Sequence, residues 1–184
     1  MTVRAFLGLG SNLGDRVSQI HRAITLLGSH PAIALVDTAS LYETEPVSIV
    51  PSSTDDGLPI EPQWFVNTAV AIDTELTAEG LLEACLAIEK QLGRDRSASP
   101  PKAQGYSSRT LDIDLLFYDS QMIRLPSLTV PHPHLHERAF VLMPLLELIP
   151  DWKHPALGKT IRELCDALPK AEAITLLGSH HPQR

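Results

Sequence analysis

The sequence is poor in cysteine, with two residues in 184, Cys85 and Cys165. Both fall in apolar helical patterns, which points to buried thiols in a reducing compartment and excludes a disulfide-stapled scaffold. No uncharged apolar run approaches the ~20 residues of a membrane helix. The stretch Met1–Gly8 meets glycine too early for a secretory signal, so a soluble, cytoplasmic protein is expected. Basic residues are in the minority, 15 Lys and Arg against 22 Asp and Glu, for a net charge of −7. That argues against broad nucleic-acid binding, which needs a basic face, and leaves room for a nucleotide in a locally basic site. There is no GxxxxGK[ST] loop, and Gly8-Leu9-Gly10-Ser11-Asn12-Leu13 lacks the last glycine of the dinucleotide fingerprint. Apolar residues at 43% and charged residues at 20% are ordinary globular values. A chain of this length is expected to form one domain with a proper core.

What is present is organised around Arg109-Thr110-Leu111-Asp112-Ile113-Asp114-Leu115-Leu116-Phe117-Tyr118-Asp119. Leu111, Ile113 and Leu115 alternate with Asp112 and Asp114, which is the period of a β-strand. Side chains two apart on a strand share a face at a spacing of about 6–7 Å, so the two carboxylates stand side by side. Paired carboxylates repel each other unless something positive sits there. An arginine or a hard divalent cation answers that need, and Mg²⁺ typically takes one or two carboxylates with phosphate oxygens completing its shell. The alternative is a solvated acidic face. Immediately upstream, the loop Gly93–Arg109 carries Arg94, Arg96, Lys102 and Arg109 against Asp95, a local charge of +3 in a chain of −7. Arginines clamp phosphate oxygens bidentately. A basic loop running into an acidic strand favours a phosphate-handling site over a solvated loop whose arginines pair with the aspartates.

Along the chain, Val3–Leu9 reads as a first strand ending in the glycine-rich turn Gly8–Asp15. A helix follows with Val17, Ile20, Ile24 and Leu27 on one stripe and Gly28 as its stop. Ile33–Glu43 reads as a second strand. Val47–Gln63 is a long connection rich in Pro, Ser and Asp, of the kind that forms a lid or stays disordered. Trp64–Thr74 reads as a third strand with Phe65 and Asn67 on one face, either a ring platform beside a hydrogen-bonding amide or a core aromatic beside a satisfied Asn. Thr77 caps a second helix with the stripe Leu81, Cys85, Ile88 and Leu92. Gln121–Leu125 and Ser127–Val130 look like short strands, and Glu137–Met143 starts a helix stopped near Pro144. Thr160-Ile161-Arg162-Glu163 is a capping box opening a helix to about Leu168. The alternating His132, His134 and His136 suggest a transition-metal site, weakened by two intervening prolines and missing Cys or acidic ligands. Ala171–Arg184 carries little pattern. The heptapeptide Ile24–His30 recurs as Ile174–His180, too short for a repeat unit. Strand, helix, strand, strand, helix, strand is the ferredoxin-like βαββαβ order. With C-terminal additions on the second face it gives an α+β fold, a three-layer α-β-α sandwich.

Gly10-Ser11-Asn12-Leu13-Gly14, Tyr42-Glu43-Thr44-Glu45-Pro46, Phe65-Val66-Asn67, Glu89 with Gly93-Arg94, Arg109-Thr110-Leu111-Asp112-Ile113-Asp114, and Val130-Pro131-His132 with Arg138-Ala139-Phe140 occur in this order. Over roughly residues 2–150 the chain resembles the 6-hydroxymethyl-7,8-dihydropterin pyrophosphokinase family of the folate pathway. The resemblance implies transfer of the β,γ-pyrophosphoryl group of ATP to the pterin hydroxymethyl group, leaving AMP. It implies one catalytic domain over 1–184, with a C-terminal helix and tail in 151–184, acting as a monomer on small molecules, with no nucleic-acid or membrane partner. Asp112 and Asp114 would hold two Mg²⁺ ions between ATP and the pterin hydroxyl, with Asp112 also reaching the pterin, and Arg94 and Arg109 would complete the catalytic set. Phe65 and Phe140 would sandwich the ring while Asn67, helped by Thr44 and Pro46, reads its edge. Arg94, Arg96, Arg109, His132 and Arg138 would contact the nucleotide, bordered by Glu89 and Thr129. The loops Val47–Gln63 and Gly93–Arg109 would be lids that exclude water. Phe65 stands where some members have tyrosine, and Ser127 where some have arginine.

Two rivals differ in kind. A nucleotidyltransferase also joins a Gly-Ser turn to a D-x-D strand, but there the two lie close in sequence, whereas Ser11 and Asp112 are far apart here. A ferredoxin-like module that binds a small ligand without chemistry would not need paired aspartates beside a basic loop.

Overall fold

The computed structural model describes residues 1–45, 64–93, 110–169 and 174–178. The first half of the chain carries β1 (Val3–Ser11), α1 (Arg16–Ser29), β2 (Ile33–Thr38), β3 (Leu41–Thr44), β4 (Phe65–Thr74) and α2 (Ala78–Gln91). The second half carries β5 (Asp112–Tyr118), β6 (Ile123–Arg124), β7 (Thr129–Val130), α3 (Ala139–Leu148), α4 (Ile161–Asp166) and β8 (Ile174–Gly178). The main sheet runs β5-β1-β4-β3-β8, with β2 beside the other end of β4, and β6 pairs with β7 separately. All these pairings are antiparallel.

The sheet is covered on both faces, because its strands alternate between two cores. Ala5, Leu7 and Leu9 of β1 join Val66, Val70 and Ile72 of β4 and Ile113 and Leu115 of β5 in a cluster with the stripes of α1 and α2. Phe6, Ala69, Ala71, Leu116 and Phe117 point the other way, against Val141, Leu142 and Leu145 of α3 and Ile161 and Leu164 of α4. Each helix starts where its cap lies. Asp15 accepts from Ser18 N–H at 3.1 Å, Thr77 from Gly80 N–H at 3.1 Å, and Thr160 and Glu163 form a reciprocal capping box.

Several boundaries differ from the sequence expectation. The second strand is broken at Ala39-Ser40 into β2 and β3. The first helix passes through Gly28, and His30 N–H closes it on the Leu27 carbonyl at 3.2 Å. The helix expected to stop near Pro144 continues to Leu148. Proline there costs a hydrogen bond and strains the turn, but Val141, Leu142 and Leu145 are 8%, 0% and 0% exposed, and that burial outweighs the break. The C-terminal stretch contains β8, which pairs with β3.

Candidate active site

The site is built by register. Gly10 of β1 lies opposite Asp112 of β5 and opposite Asn67 of β4, and Asn67 lies opposite Tyr42 of β3. Opposed residues in antiparallel strands share a face, so Asp112, Gly10, Asn67 and Tyr42 form one row across the sheet. Asp114, Gly8 and Ala69 form the next row. At about 4.8 Å per strand, Asp112 and Asn67 stand roughly 10 Å apart, separated by a residue with no side chain. The result is a shallow trough on the α3 side, with a carboxylate pair along one wall and an amide on the other.

The glycines that make the trough were expected in a turn, and that expectation is corrected. Gly8 and Gly10 sit inside β1, and within the Gly8–Asp15 segment Gly14 alone has a positive φ, 63°. Close approach explains Gly10: a Cβ there would come within 2.9 Å of Asn67 Oδ1. Asn67 has little freedom to withdraw, since it is 6% exposed and its Nδ2 donates to Thr44 Oγ1 at 2.8 Å. Phe65 lies opposite Thr44 and is half-buried. Phe140, also half-buried, packs on the α3-side core. The Arg138 guanidinium carbon is 5.6 Å from its ring centroid, within cation–π range. Thr44, Phe65 and Asn67 are therefore brought together by the β3–β4 register, and α3 presents Phe140 on the same side of the sheet.

On the carboxylate side, the start of β5 is held by two hydrogen bonds. The Ser11 hydroxyl donates to the Thr110 carbonyl at 2.6 Å, and Ile113 N–H donates to Glu89 Oε1 at 2.8 Å. Glu89 is 1% exposed, and this bond braces the peptide unit between the two aspartates. Both aspartates are half-buried. Their hard oxygens, two residues apart and facing side-chain-free backbone, suit a hard divalent cation with few protein ligands. His132 N–H donates to the Leu116 carbonyl at 3.1 Å, which ties the histidine to β5. Burial, then the charge of Arg138 and His134, pushes the His132 pKa down to about 4 against a smaller opposing pull from Asp112. Its Nδ1 accepts the His134 N–H at 3.4 Å, so the neutral ring carries its proton on Nε2. Thr129 is exposed on β7.

The histidine run does not converge. The His132 and His134 rings lie 6.3 Å apart, while His136 meets His154 at 6.2 Å. Among the described residues no three His, Cys, Asp or Glu side chains gather as a metal cluster, so His132, His134 and His136 do not meet as the expected transition-metal site. Burial, then the charges of Glu89 and Asp114, pushes the Cys85 thiol up to about 12, so it is inert. Arg94, Arg96, Arg109 and Pro46 lie outside the described residues, as do the two expected lids.

Sequence reasoning missed two clusters. Arg16 donates to the Trp64 carbonyl at 2.7 Å and pairs with Glu43 at 2.8 Å. They line a cleft of about 540 Å³ together with Asn12, Gly14 and Thr175, and no expected site residue among the described ones lines it. The second cluster joins Glu147 of α3 to Ser40 and Tyr42. A sequence separation of 105 to 107 residues leaves no local signal that could have revealed it.

Comparison with known proteins gives a consistent result. The model of the family described as 7,8-dihydro-6-hydroxymethylpterin-pyrophosphokinase (HPPK) matches residues 6–150. The 2-amino-4-hydroxy-6-hydroxymethyldihydropteridine pyrophosphokinase of Methylorubrum extorquens is 42% identical over 160 residues, covering 87% of this chain and 90% of that one. The protein of the same description from Pseudomonas aeruginosa is 37% identical over 169 residues, covering 92% and 94%. Among solved structures, Plasmodium falciparum HPPK-DHPS with pteroate superposes with a TM-score of 0.67 at 19% identity. That match covers 90% of this chain and 42% of the Plasmodium one, so the chain spans under half of that longer protein, and the likeness speaks to the fold.

Proposed function

The chain belongs to the 7,8-dihydro-6-hydroxymethylpterin-pyrophosphokinase family, and from that premise we propose how its residues divide the work. The reaction moves the pyrophosphoryl group of ATP onto the hydroxymethyl group of 6-hydroxymethyl-7,8-dihydropterin and yields AMP and the pterin diphosphate, a step of folate synthesis. Residues 1–184 act as a single domain and a monomer in the cytoplasm, with a ferredoxin-like core between the two helical layers. The observation that carries the assignment is the row Asp112–Gly10–Asn67, which sets a carboxylate and an amide at a fixed separation across one trough and so supports a phosphate side and a ring side.

The flat pterin needs aromatic faces and a donor–acceptor partner at its edge. Phe65 and Phe140 supply the faces, and Asn67 supplies the edge, oriented by Thr44 and flanked by Pro46. The hydroxymethyl group then points toward Asp112. Asp112 and Asp114 would hold two Mg²⁺ ions, which would supply positive charge to offset that of the phosphates. Transfer of this kind asks a protein for positioning and charge stabilisation rather than covalent help. Arg94 and Arg109 meet that demand at the phosphates, with Arg96 and Arg138 beside them. The neutral His132 donates its Nε2–H to a phosphate oxygen. Thr129 borders the nucleotide, and Glu89 serves it indirectly by holding β5 straight between the aspartates.

Asp112→Asn and Asp114→Asn keep the size and polarity of each side chain and remove its charge. Each is expected to lower pterin diphosphate formation by at least about a hundredfold, the scale of losing a preorganised electrostatic contact, with the melting temperature close to that of the unaltered protein. Undiminished transfer in either variant would refute the assignment and bring forward a ligand-binding module.

A further inference from the structure

We propose that Tyr42 and Glu147 form a positioning clamp that fixes the gap between Phe140 and the Asn67–Thr44 edge, and thereby sets affinity for the flat ring substrate. The inference rests on the placement of the pterin between those residues. Glu147 follows Phe140 by seven residues on α3. Seven residues bring a helical side chain back to nearly the same face, about 10 Å further along the axis. Glu147 is exposed, yet both its carboxylate oxygens are engaged. Oε2 accepts from the Ser40 amide and the Ser40 hydroxyl, each at 3.0 Å, and Oε1 accepts from the Tyr42 hydroxyl.

The strand end of the clamp reaches the binding edge directly. Tyr42 is 8% exposed and is the cross-strand partner of Asn67. Thr44, which orients the Asn67 amide, is two residues further on β3, on the same face. Burial, then the bond to Glu147, raises the Tyr42 hydroxyl above its ordinary range, so it remains a donor wherever the protein works.

Among the described residues, α3 also packs on the sheet through apolar contacts of Val141, Leu142 and Leu145 with Phe6, Ala69, Ala71 and Phe117. Hydrophobic contact is non-directional. It keeps the helix on the sheet but leaves it able to slide or turn by fractions of an ångström. Hydrogen bonds are directional, and those to a carboxylate are the stronger kind. The three bonds to Glu147 therefore fix α3 along β3, and with it the distance from the Phe140 ring to Asn67. A stacked ring feels displacements on that scale, while the nucleotide, held on the far side of Gly10, does not depend on β3.

The test uses Tyr42→Phe and Glu147→Gln in the full chain. Steady-state kinetics give KM for each substrate and kcat, and calorimetry gives the Kd of the pterin in the presence of a non-hydrolysable ATP analogue. The pterin KM and Kd are expected to rise about threefold to tenfold in each variant, the factor corresponding to one net hydrogen bond, with the ATP KM and kcat within about twofold. Two results overturn the clamp: a pterin Kd unchanged in both variants while only the melting temperature falls, or a parallel loss in both substrates and kcat. If the unaltered protein binds no pterin, the placement of the ring fails and the clamp fails with it. If Tyr42→Phe does not fold, Ser40→Ala removes one of the three bonds and is read on the same scale.

Discussion

In the proposed division of labour His132 serves the nucleotide as a neutral donor. Its pKa is pushed down to about 4, first by burial and then by Arg138 and His134, whereas an unfolded chain holds a histidine near ~6.5. Between those values the unfolded state binds more protons than the folded one. The stability this histidine contributes is therefore complete above about pH 6.5 and is lost as pH falls through about 4. The expected NMR titration midpoint of the His132 ring is near 4, with no His132 transition in activity between pH 6 and 8. A midpoint near 6.5 would contradict the burial that gives the ring its neutral role. Sequence revealed that a histidine stands at this position, but its charge state depends on Leu116, Arg138 and Asp112 closing around it. Gly10 is similar: its identity was legible, but its reason, an Asn67 side chain arriving from a strand over fifty residues away, was not.

At the scale of elements, α2 matters because its last turn carries Glu89, whose carboxylate braces β5 between the two aspartates. Its N-terminus is held by Thr77, which accepts from Gly80 N–H. Thr77→Ala is expected to cost ~1 kcal/mol of stability, the usual value of such a cap, measured by urea denaturation. An unchanged midpoint would show that burial of Leu81, Cys85 and Ile88 holds the helix without its cap. The stripes of α1 and α2 were readable because burial on one side writes a 3.6-residue period into the sequence, and the aspartate strand because burial on one side writes a period of two. The heptapeptide Ile24–His30 and its second copy show where such reading ends. In the first copy Ile24 and Leu27 lie in the core of a helix at 6% and 0% exposure. In the second, Ile174–Gly178 is a strand on the edge of β3, with Leu176 and Leu177 at 58% and 44%. The same side chains take opposite structures because the second copy is held by a backbone ladder rather than by a buried face, and local propensity is a weak prior beside that.

For the whole molecule, the three layers follow from strands that bury both faces, and the α+β class was legible from the order of periods along the chain. The trough was only half legible. The carboxylate pair announces itself within three residues, but its opposition to Asn67 is set by the register of β1 between β5 and β4, which sequence does not print. The Glu147 tie between α3 and β3 lies wholly in that hidden part. The most direct measurement is product analysis after mixing the unaltered protein with Mg·ATP and 6-hydroxymethyl-7,8-dihydropterin. The expected result is AMP formed in one-to-one step with a pterin diphosphate. ADP as the nucleotide product, or no turnover at all, would contradict pyrophosphoryl transfer across the Asp112–Asn67 trough.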